Sequence, residues 1–155
     1  MNARHLSAQV EEWRIFREEV KPLLPLHWEE LALDKEQVKL SPRWDVYDAM
    51  AANGQLSIVS IRAAGQLVGY SITMVTPGLH YSECLDARMD IFWLHPEHRG
   101  KGGGVRLFAA VESELRRRGV QRWYAGSKLH KDTSRLFLAL GFTPIETWFS
   151  KWLGD

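Results

Sequence analysis

Cysteine is nearly absent from this sequence: Cys84 is the single one among 155 residues, so no disulfide can form within the chain. A chain without disulfides is typical of a reducing compartment, and we interpret Cys84 as a small packing residue. No apolar run approaches the roughly 18 residues of a membrane span, and residues 1–13 lack the apolar core of a signal peptide. We therefore expect a cytoplasmic protein with no membrane partner.

An excess of charge of either sign is also missing. Twenty Lys and Arg stand against 19 Asp and Glu, which leaves a net charge of +1 and no overall field that would attract nucleic acid. Four arginines lie close together at 116–118 and 122, but a solvated helix end explains them more simply. Base-stacking motifs are absent too, so binding of nucleic acid is the least favoured interpretation.

The composition that is present is that of an ordinary globular protein, with 45% hydrophobic and 25% charged residues. A chain of this length predicts one domain over residues 1–155. Hydrophobic periodicity predicts helices in the first 52 residues, with a short one near 28–33 and another at 42–52. The first helix should be capped by Ser7. Its apolar face should consist of Val10, Trp13, Phe16 and Val20.

The remaining residues alternate between strands and helices. Strands are predicted at 56–63, 66–76, 87–94, 120–125 and 144–153, and helices at 103–118 and 133–140. Helices, an antiparallel meander and then alternating β and α elements predict an α/β protein. We expect a central mixed, mostly antiparallel, sheet of six to seven strands with helices on both faces.

The most informative segment is a glycine-rich loop between a predicted buried strand and the helix at 103–118. Four of the five residues 100–104 are glycine, which lets the backbone approach a ligand closely. The first N–H groups of the helix have no partner within it and, with the helix dipole, favour a phosphate group. Arg99 and Lys101 add positive charge. The P-loop pattern does not fit, because Gly102 follows Lys101, and neither does the three-glycine dinucleotide pattern.

The segment resembles motif A of the GNAT acetyltransferases. That motif is an apolar run followed by x-P-x-x-R-G-x-G-x-[GA], and residues 92–104, FWLHPEHRGKGGG, fit it throughout. Residues 136–142, LFLALGF, are similar to the last helix of the same family, so the likeness covers about residue 56 onwards. More loosely, three short features look like a GNAT-like group met in bacteriophage genomes: HWEE (27–30), LHY (79–81) and HKD (130–132).

The resemblance implies an acyl-CoA-dependent N-acyltransferase, which would transfer an acetyl or other small acyl group to an amine on a small molecule or a protein. The strand before the loop would lie against the pantetheine arm, and a backbone N–H near Leu94 would stabilise the oxyanion. Acetyl-CoA or another acyl-CoA is the expected co-substrate, and no metal is expected. The positions implied to hold it are Trp93, Leu94, His95, Arg99, Gly100, Lys101, Gly102, Gly103, Gly104, Val105 and Phe137.

A general base is needed to take a proton from an ammonium acceptor, whose pKa is near 10. Asp90 is the first candidate because its strand is expected to be buried, where desolvation would raise the pKa of the carboxyl group. A salt bridge of Asp90 with Arg88, or a structural hydrogen bond, is the alternative. Further candidates for catalysis are His80, Glu83 and His95.

Two positions depart from the family pattern. Phe137 stands where many members carry a tyrosine that protonates the leaving thiolate, and His130 stands where many carry an asparagine. His130, Tyr124 or water would then have to supply the proton. The alternative is a CoA-binding or structural module of the same fold with weak catalysis.

The acceptor site is expected among the N-terminal helices and the loop after Thr76, with His27, Glu30, Tyr47, His80 and Tyr81 as candidate contacts. His27 and Glu30 stand three apart on one helical face, but no third metal ligand follows from the spacing. Trp148 and Trp152 are interpreted as part of either the core or an interface, so a homodimer is left open.

Overall fold

The computed structural model describes residues 5–154, which form five strands, five α-helices and one short 3₁₀ helix. In chain order these are β1 (Leu6–Val10), α1 (Trp13–Val20), α2 (Leu24–Leu31), α3 (Trp44–Ala52), β2 (Leu56–Ala63), β3 (Gln66–Pro77), β4 (Leu85–Leu94), the 3₁₀ helix (Pro96–His98), α4 (Gly103–Arg117), β5 (Arg122–Tyr124) and α5 (Ser134–Ala139). None of these helices is long and apolar enough to cross a membrane.

The five strands form one sheet in the order β1-β2-β3-β4-β5. The first four strands are antiparallel to their neighbours, and β5 runs parallel to β4. A mixed, mostly antiparallel sheet is thus confirmed. The predicted number of six to seven strands is wrong, because the described part of the chain contributes five.

The first element is a strand and not the beginning of a helix. Leu6 of β1 is buried and Ser7 is exposed, and Ser7 pairs with Arg62 of β2 instead of capping a helix. The first helix begins only at Trp13. Pro25 lies in the first turn of α2, where a missing N–H breaks no helical hydrogen bond, so this helix begins earlier than predicted.

Helices cover both faces of the sheet, as predicted. On one face, α4 shares a hydrophobic cluster with the buried side chains Val59 and Ile61 of β2. On the opposite face, Phe16 of α1 belongs to a cluster with Ile58 of β2 and Tyr70 of β3. All eight residues of β2 are buried. The centre of the core therefore lies along β2, with one cluster on each side of it.

A buried arginine joins β2 to the first helix. The Arg62 guanidinium binds Glu11 (Nε to Oε1, 2.8 Å) and Glu19, and its Nη1 donates to the Gly65 carbonyl at 2.9 Å. The side chains of Arg62 and Glu11 are both almost completely buried. Each of these two charges therefore needs the other, because a buried charge without a partner is strongly destabilising.

Residues 143–154 do not form the predicted final strand. They have no regular secondary structure, and every one of them is exposed. A strand needs hydrogen bonds to a neighbouring strand, and no strand within residues 5–154 pairs with this segment. We call residues 143–154 the apolar arm, since its exposed side chains include Ile145, Trp148, Phe149, Trp152 and Leu153.

Candidate active site

β4 and β5 run side by side over only part of their length. β5 pairs with β4 from Asp86 to Arg88, and in the described sheet no strand pairs with this side of β4 beyond Arg88. On its other side, β4 remains paired with β3 as far as Leu94. The two parallel strands therefore leave an opening, here called the β4–β5 gap, which is bordered by residues 89–94.

The gap opens at a β-bulge. Ile72 of β3 faces Ile91, but the next residue of β3, Thr73, faces Met89, so Asp90 faces no residue of β3 in the described sheet. A bulge bends its strand and increases the local twist. Because this bulge comes two residues after the last β4–β5 pair, it accounts for the separation of the two strands.

Backbone groups of β4 point into the gap. The His95 N–H donates to the Val68 carbonyl of β3 at 2.8 Å, and backbone directions alternate along a strand. Trp93 therefore also directs its backbone towards β3, whereas the N–H and C=O of Phe92 and Leu94 face the gap. Of the three residues expected to pair with a pantetheine arm, Leu94 directs its backbone into the gap, whereas Trp93 and His95 direct theirs towards β3.

β4 leads into the predicted glycine-rich loop. After the 3₁₀ helix the chain turns at Gly100 and Gly102, whose φ angles of 71° and 76° strongly favour glycine. α4 begins at Gly103, where an added Cβ would lie 2.8 Å from Leu94 Cδ2. Glycine at this position therefore allows the start of the helix to approach the end of β4 and the gap.

The first turn of α4 offers backbone donors. The first hydrogen bond within this helix runs from the Arg106 N–H to the Gly102 carbonyl (3.0 Å), and the N–H groups of residues 103–105 precede it. Together with the positive end of the helix dipole, these groups suit a phosphate. Lys101 is exposed in the same loop and adds positive charge. The arrangement of strand, loop and helix agrees with the predicted one.

Arg99 is bonded within the protein. Its Nε donates to the Leu94 carbonyl at 2.8 Å, and its Nη2 binds the Glu30 carboxylate oxygens at 2.8 and 2.9 Å. Burial acts to raise the pKa of Glu30, but the hydrogen bond and charge of Arg99 outweigh it, and the net shift is downward. Glu30, expected to contact the acceptor, is thus the partner of Arg99, and the pair joins α2 to β4.

Tyr47 of α3 forms a hydrogen bond with Asp90, the extra residue of the β4 bulge. Its hydroxyl donates to Asp90 Oδ2 at 2.5 Å. Burial raises the pKa of Tyr47, and the hydrogen bond to Asp90 raises it further, so Tyr47 remains protonated at neutral pH. Asp90 itself is exposed, so the expectation of a buried carboxyl group is wrong. Sequence patterns did not indicate this contact, because the two residues lie 43 positions apart.

A cavity of about 320 Å³ adjoins these two side chains, and we call it the Asp90 cavity. Its remaining lining comes from α3, the segment before it and β3: Pro42, Arg43, Val46, Met50 and Met74. No sequence motif marks these five residues. Val46 and Met50 stand four apart on α3, a spacing that places two side chains on one helical face. This spacing is the one feature of the sequence that could have indicated a shared apolar lining.

His27 is buried in the core against Tyr70 and Trp93. Its Nδ1 lies 2.8 Å from Tyr70 Oη, and its ring stacks on Trp93 with the ring centroids 6.1 Å apart. Burial lowers the pKa of His27 to about 4, so the ring is neutral at pH 7. His27 was expected to contact the acceptor, but it is not among the residues that line the Asp90 cavity.

Three other candidates lie on the loop that precedes β4. His80, Tyr81 and Glu83 are exposed there, and the Arg122 guanidinium lies over the Tyr81 ring at 5.2 Å. Asp90 is five residues into β4, which corresponds to about 17 Å of extended strand. The structure therefore separates His80 and Glu83 from Asp90 rather than grouping them.

His130 is exposed on the loop between β5 and α5. Two lysines of the same loop lie close to α2: Lys128 contributes to the lowered pKa of His27, and Lys131 to that of Glu30. The loop that carries His130 is therefore near the Arg99–Glu30 pair.

Phe137 is buried in an aromatic cluster. Its ring centroid lies 5.8 Å from that of Phe92, 5.2 Å from Phe108 and 5.4 Å from Phe142. None of these side chains has a proton to give to a thiolate. Tyr124, the other candidate acid, lies at the last β4–β5 pair, with the Arg88 guanidinium 4.3 Å from its ring centroid.

His95, Glu97 and His98 bring three potential metal-ligand atoms within 4.8 Å of one another. The local turn explains their proximity. His95 Nδ1 accepts a hydrogen bond from the Glu97 N–H at 3.4 Å and thereby caps the 3₁₀ helix. We assign no metal to this group.

A strand that leaves its neighbour at a bulge and runs into a glycine-rich helix start defines a fold that can hold a long ligand ending in phosphate groups. The sequence matches the model of the acetyltransferase (GNAT) family over residues 13–142. This chain belongs to that family and is an N-acetyltransferase. Members of the family use acetyl-CoA.

Solved structures share the fold over nearly the whole chain. A ribosomal-protein-alanine N-acetyltransferase from Brucella melitensis biovar Abortus 2308 has a TM-score of 0.71 at 18% identity and covers 97% of this chain and 100% of its own. An aminoglycoside acetyltransferase from an uncultured soil metagenomic sample, in complex with trehalose, has a TM-score of 0.70 at 12% identity (100% and 99% covered).

A predicted acetyltransferase from Clostridium acetobutylicum, with acetyl-CoA, has a TM-score of 0.69 at 11% identity and covers 96% of this chain and 97% of its own. At these identities the likeness shows the fold alone. No curated protein matches the sequence of this chain.

Proposed function

We propose that the chain transfers an acetyl group from acetyl-CoA to the amine of a small molecule or a protein. The observation that carries this proposal is the β4–β5 gap, which opens at Asp90 and leads to the glycine-rich start of α4. Membership of the acetyltransferase family supports the same reaction class.

The gap and the loop suit the two ends of the CoA arm. The backbone of Phe92 and Leu94 faces the gap and can pair with amide groups of an extended ligand. The N–H groups of residues 103–105, together with Lys101, suit the pyrophosphate. Because Arg99 is bonded to Glu30 and to the Leu94 carbonyl, its part is to fix the loop, and the phosphate contacts fall mainly to the backbone.

Asp90 acts as the general base. It takes one proton from the ammonium acceptor, directly or through water, and the amine nitrogen then bonds to the thioester carbonyl carbon. As the C–S bond breaks, the nitrogen releases its second proton to water, which leaves a neutral amide. The Leu94 N–H donates to the carbonyl oxygen as that oxygen gains negative charge. The departing thiolate takes up a proton from water or Tyr124, because Phe137 has none to give.

The Asp90 cavity favours a particular class of acceptor. Four of its lining residues are apolar, and its charged groups are one carboxylate, on Asp90, and one guanidinium, on Arg43. A polycationic aminoglycoside would meet a single carboxylate there, next to a positive charge. We therefore propose an acceptor with one amine beside an apolar group, such as an aryl-ethylamine or an apolar N-terminal residue of a peptide.

The first prediction concerns acetyl-CoA binding at the start of α4. Gly104→Glu places a carboxylate at the proposed phosphate site, and we expect it to weaken binding of acetyl-CoA at least tenfold through charge repulsion. Gly104→Gln is the matched control, because it makes the same contact with Leu136, whose Cδ2 would lie 3.2 Å from an added Cβ. Calorimetric titration with acetyl-CoA gives the dissociation constants, and thermal melting verifies that both variants fold.

Equal affinities for the Gln and Glu variants would contradict a phosphate site at this helix start. If the wild-type protein does not bind acetyl-CoA at all, the proposed function fails.

A second function, CoA binding without rapid transfer, is favoured by one observation, the buried Phe137. Measuring thiol release from acetyl-CoA distinguishes acetyl transfer from CoA binding alone. The acceptors to be tested are an aryl-ethylamine, an aminoglycoside and a peptide with an N-terminal alanine. Binding without amine-dependent thiol release would support the second function, for example in a phage-associated module of the kind suggested by the HWEE, LHY and HKD features.

A further inference from the structure

Arg88 carries a positive charge that no carboxylate of the described chain neutralises. It is exposed on β4, and none of the ion pairs formed within residues 5–154 includes it. A salt bridge between Arg88 and Asp90, the alternative to a general base at Asp90, is therefore not formed. The charge of the Arg88 guanidinium is available to a ligand.

The register of the sheet places Arg88 beside the Asp90 cavity. Arg88 lies directly opposite Met74 of β3, and side chains in such a pair point to one face of the sheet with their Cβ atoms about 5 Å apart. Met74 lines the cavity. Asp90 lines it too and follows Arg88 by two residues, or about 7 Å of extended strand. A cation and an anion therefore lie near each other at one opening.

Tyr124 of β5 holds the Arg88 guanidinium in place. The guanidinium carbon of Arg88 lies 4.3 Å from the centroid of the Tyr124 ring, and that of Arg122 lies 5.3 Å from it. Arg122 is itself fixed by two hydrogen bonds of 3.0 Å to Asp86. A guanidinium over an aromatic ring keeps the N–H groups at its edge free, and two of them match the two oxygens of a carboxylate. Arg88 is thus positioned to bind a carboxylate.

Three groups of a ligand can be recognised together at this place. Asp90 suits an ammonium group, and Arg88 suits a carboxylate. The adjoining cavity of about 320 Å³ is lined largely by apolar side chains and suits an apolar or aromatic group. An α-amino acid with an apolar side chain carries an ammonium group, a carboxylate and an apolar group on a single carbon atom.

We propose that the acceptor is a free α-amino acid with an apolar or aromatic side chain, and that Arg88 selects it by binding its carboxylate. This inference rests on the proposed function, because it concerns the acceptor of the same reaction. It also narrows the acceptor class. An aryl-ethylamine has no carboxylate, and in a peptide the carboxyl group next to the terminal amine is a neutral amide. Arg88 determines specificity and takes no part in the transfer of the acetyl group.

The test compares three ligands that differ only in the group beside the amine: phenylalanine, phenylalanine amide and 2-phenylethylamine. Each is titrated calorimetrically into the protein saturated with CoA, so that no acetyl group is transferred. A pH of about 6 keeps all three amines protonated. We expect the wild-type protein to bind phenylalanine at least about tenfold more tightly than the other two ligands, because only phenylalanine can form a charged pair with Arg88.

Substitutions at Arg88 assign the preference to this side chain. Arg88→Gln should bring the three dissociation constants to within about twofold of one another. Arg88→Lys keeps the charge but loses the planar pair of donors, so it should retain part of the preference. Thermal melting verifies that the variants fold. Equal affinities in the wild-type protein, or a preference that Arg88→Gln leaves intact, would overturn the inference.

Arg43 is the other guanidinium at the cavity, and it lies 3.7 Å from Asp45. Because that carboxylate already faces it, the preference for phenylalanine should survive in Arg43→Gln. A preference that is lost in Arg43→Gln but kept in Arg88→Gln would overturn the inference and assign the carboxylate to Arg43.

Thiol release from acetyl-CoA with the same three ligands separates this inference from the proposed function. Release with 2-phenylethylamine by a protein that shows no preference for phenylalanine would overturn the inference and leave the transfer reaction in place. A preference that depends on Arg88, without thiol release from any of the three, would overturn the transfer reaction and leave a binding site for amino acids. Binding is the main measurement because Arg88 also contacts Tyr124, a candidate proton donor to the thiolate.

Discussion

Asp90 is the extra residue of the β4 bulge, and it is also the proposed general base. It faces no residue of β3, and its carboxylate accepts the Tyr47 hydroxyl. If Asp90 is the general base, Asp90→Asn should reduce kcat about 100-fold or more, because an amide cannot take up the proton. The dissociation constant for acetyl-CoA should stay the same, since the amide has nearly the same shape. Steady-state kinetics and calorimetric titration measure the two effects separately.

Tyr47→Phe is the control for that substitution. It removes the hydrogen bond to Asp90 but keeps the carboxylate, so kcat should fall by a smaller factor than in Asp90→Asn. If the Asp90→Asn variant retains the full kcat, the general base is another residue, and His130 would then be the next residue to substitute.

His27 links stability to pH. Its pKa is 6.5 in an unconstrained chain and about 4 in the folded protein, because burial disfavours the charged ring. Between these two pH values the unfolded chain binds a proton at His27 and the folded chain does not, so stability falls as pH falls. The full shift corresponds to about 3 kcal/mol of unfolding free energy.

Urea unfolding at pH 7 and pH 4.5 tests this prediction. His27→Gln cannot take up a proton in this range but can still form a hydrogen bond with Tyr70. The variant should therefore be less stable at pH 7 and should lose less stability than the wild-type protein on acidification. Equal losses in both proteins would show that another group is responsible.

Between elements, the Arg62 contacts join α1, β2 and the turn after β2. Arg62→Met leaves the buried Glu11 carboxylate without its guanidinium partner, and we expect it to lower the free energy of unfolding by about 3–5 kcal/mol. Adding Glu11→Gln removes the uncompensated charge and should recover part of that loss. Urea unfolding of the single and double variants measures both, and a double variant that is less stable than Arg62→Met would contradict this account.

Elements with a strong local signal could be predicted from the sequence. β2 and the start of α4 lie at the predicted residues, because β-branched residues followed by a tight turn at Ala64 and Gly65 mark β2, and glycines followed by an amphipathic pattern mark α4. β1 was missed because Val10, Trp13 and Phe16 stand three apart and favour a helix, although Val10 pairs with Val59 in the sheet. At residues 6–10 the hydrogen bonds between β1 and β2 outweigh the helical periodicity of the local sequence.

Over the whole molecule, the loop at 99–104 was found from its sequence, but the contacts around it were not. The Tyr47–Asp90 hydrogen bond and the Arg99–Glu30 ion pair join residues far apart in the chain, and they depend on how the helices pack on the sheet. The apolar arm shows the same limit. Its β-strand pattern is clear, but no strand within residues 5–154 pairs with it.

The bulge at Asp90 could be removed without a change of register. Deleting this one residue would restore a regular pairing with β3, because Met89 already faces Thr73 and Ile91 faces Ile72, so residues 85–89 would keep their partners and their sheet faces. The buried Asp86, whose carboxylate binds Arg122 of β5, would therefore stay in place. A single-codon deletion would thus remove the carboxylate and the bend of β4 together while β5 stays paired, whereas substitutions at Asp90 remove the carboxylate alone.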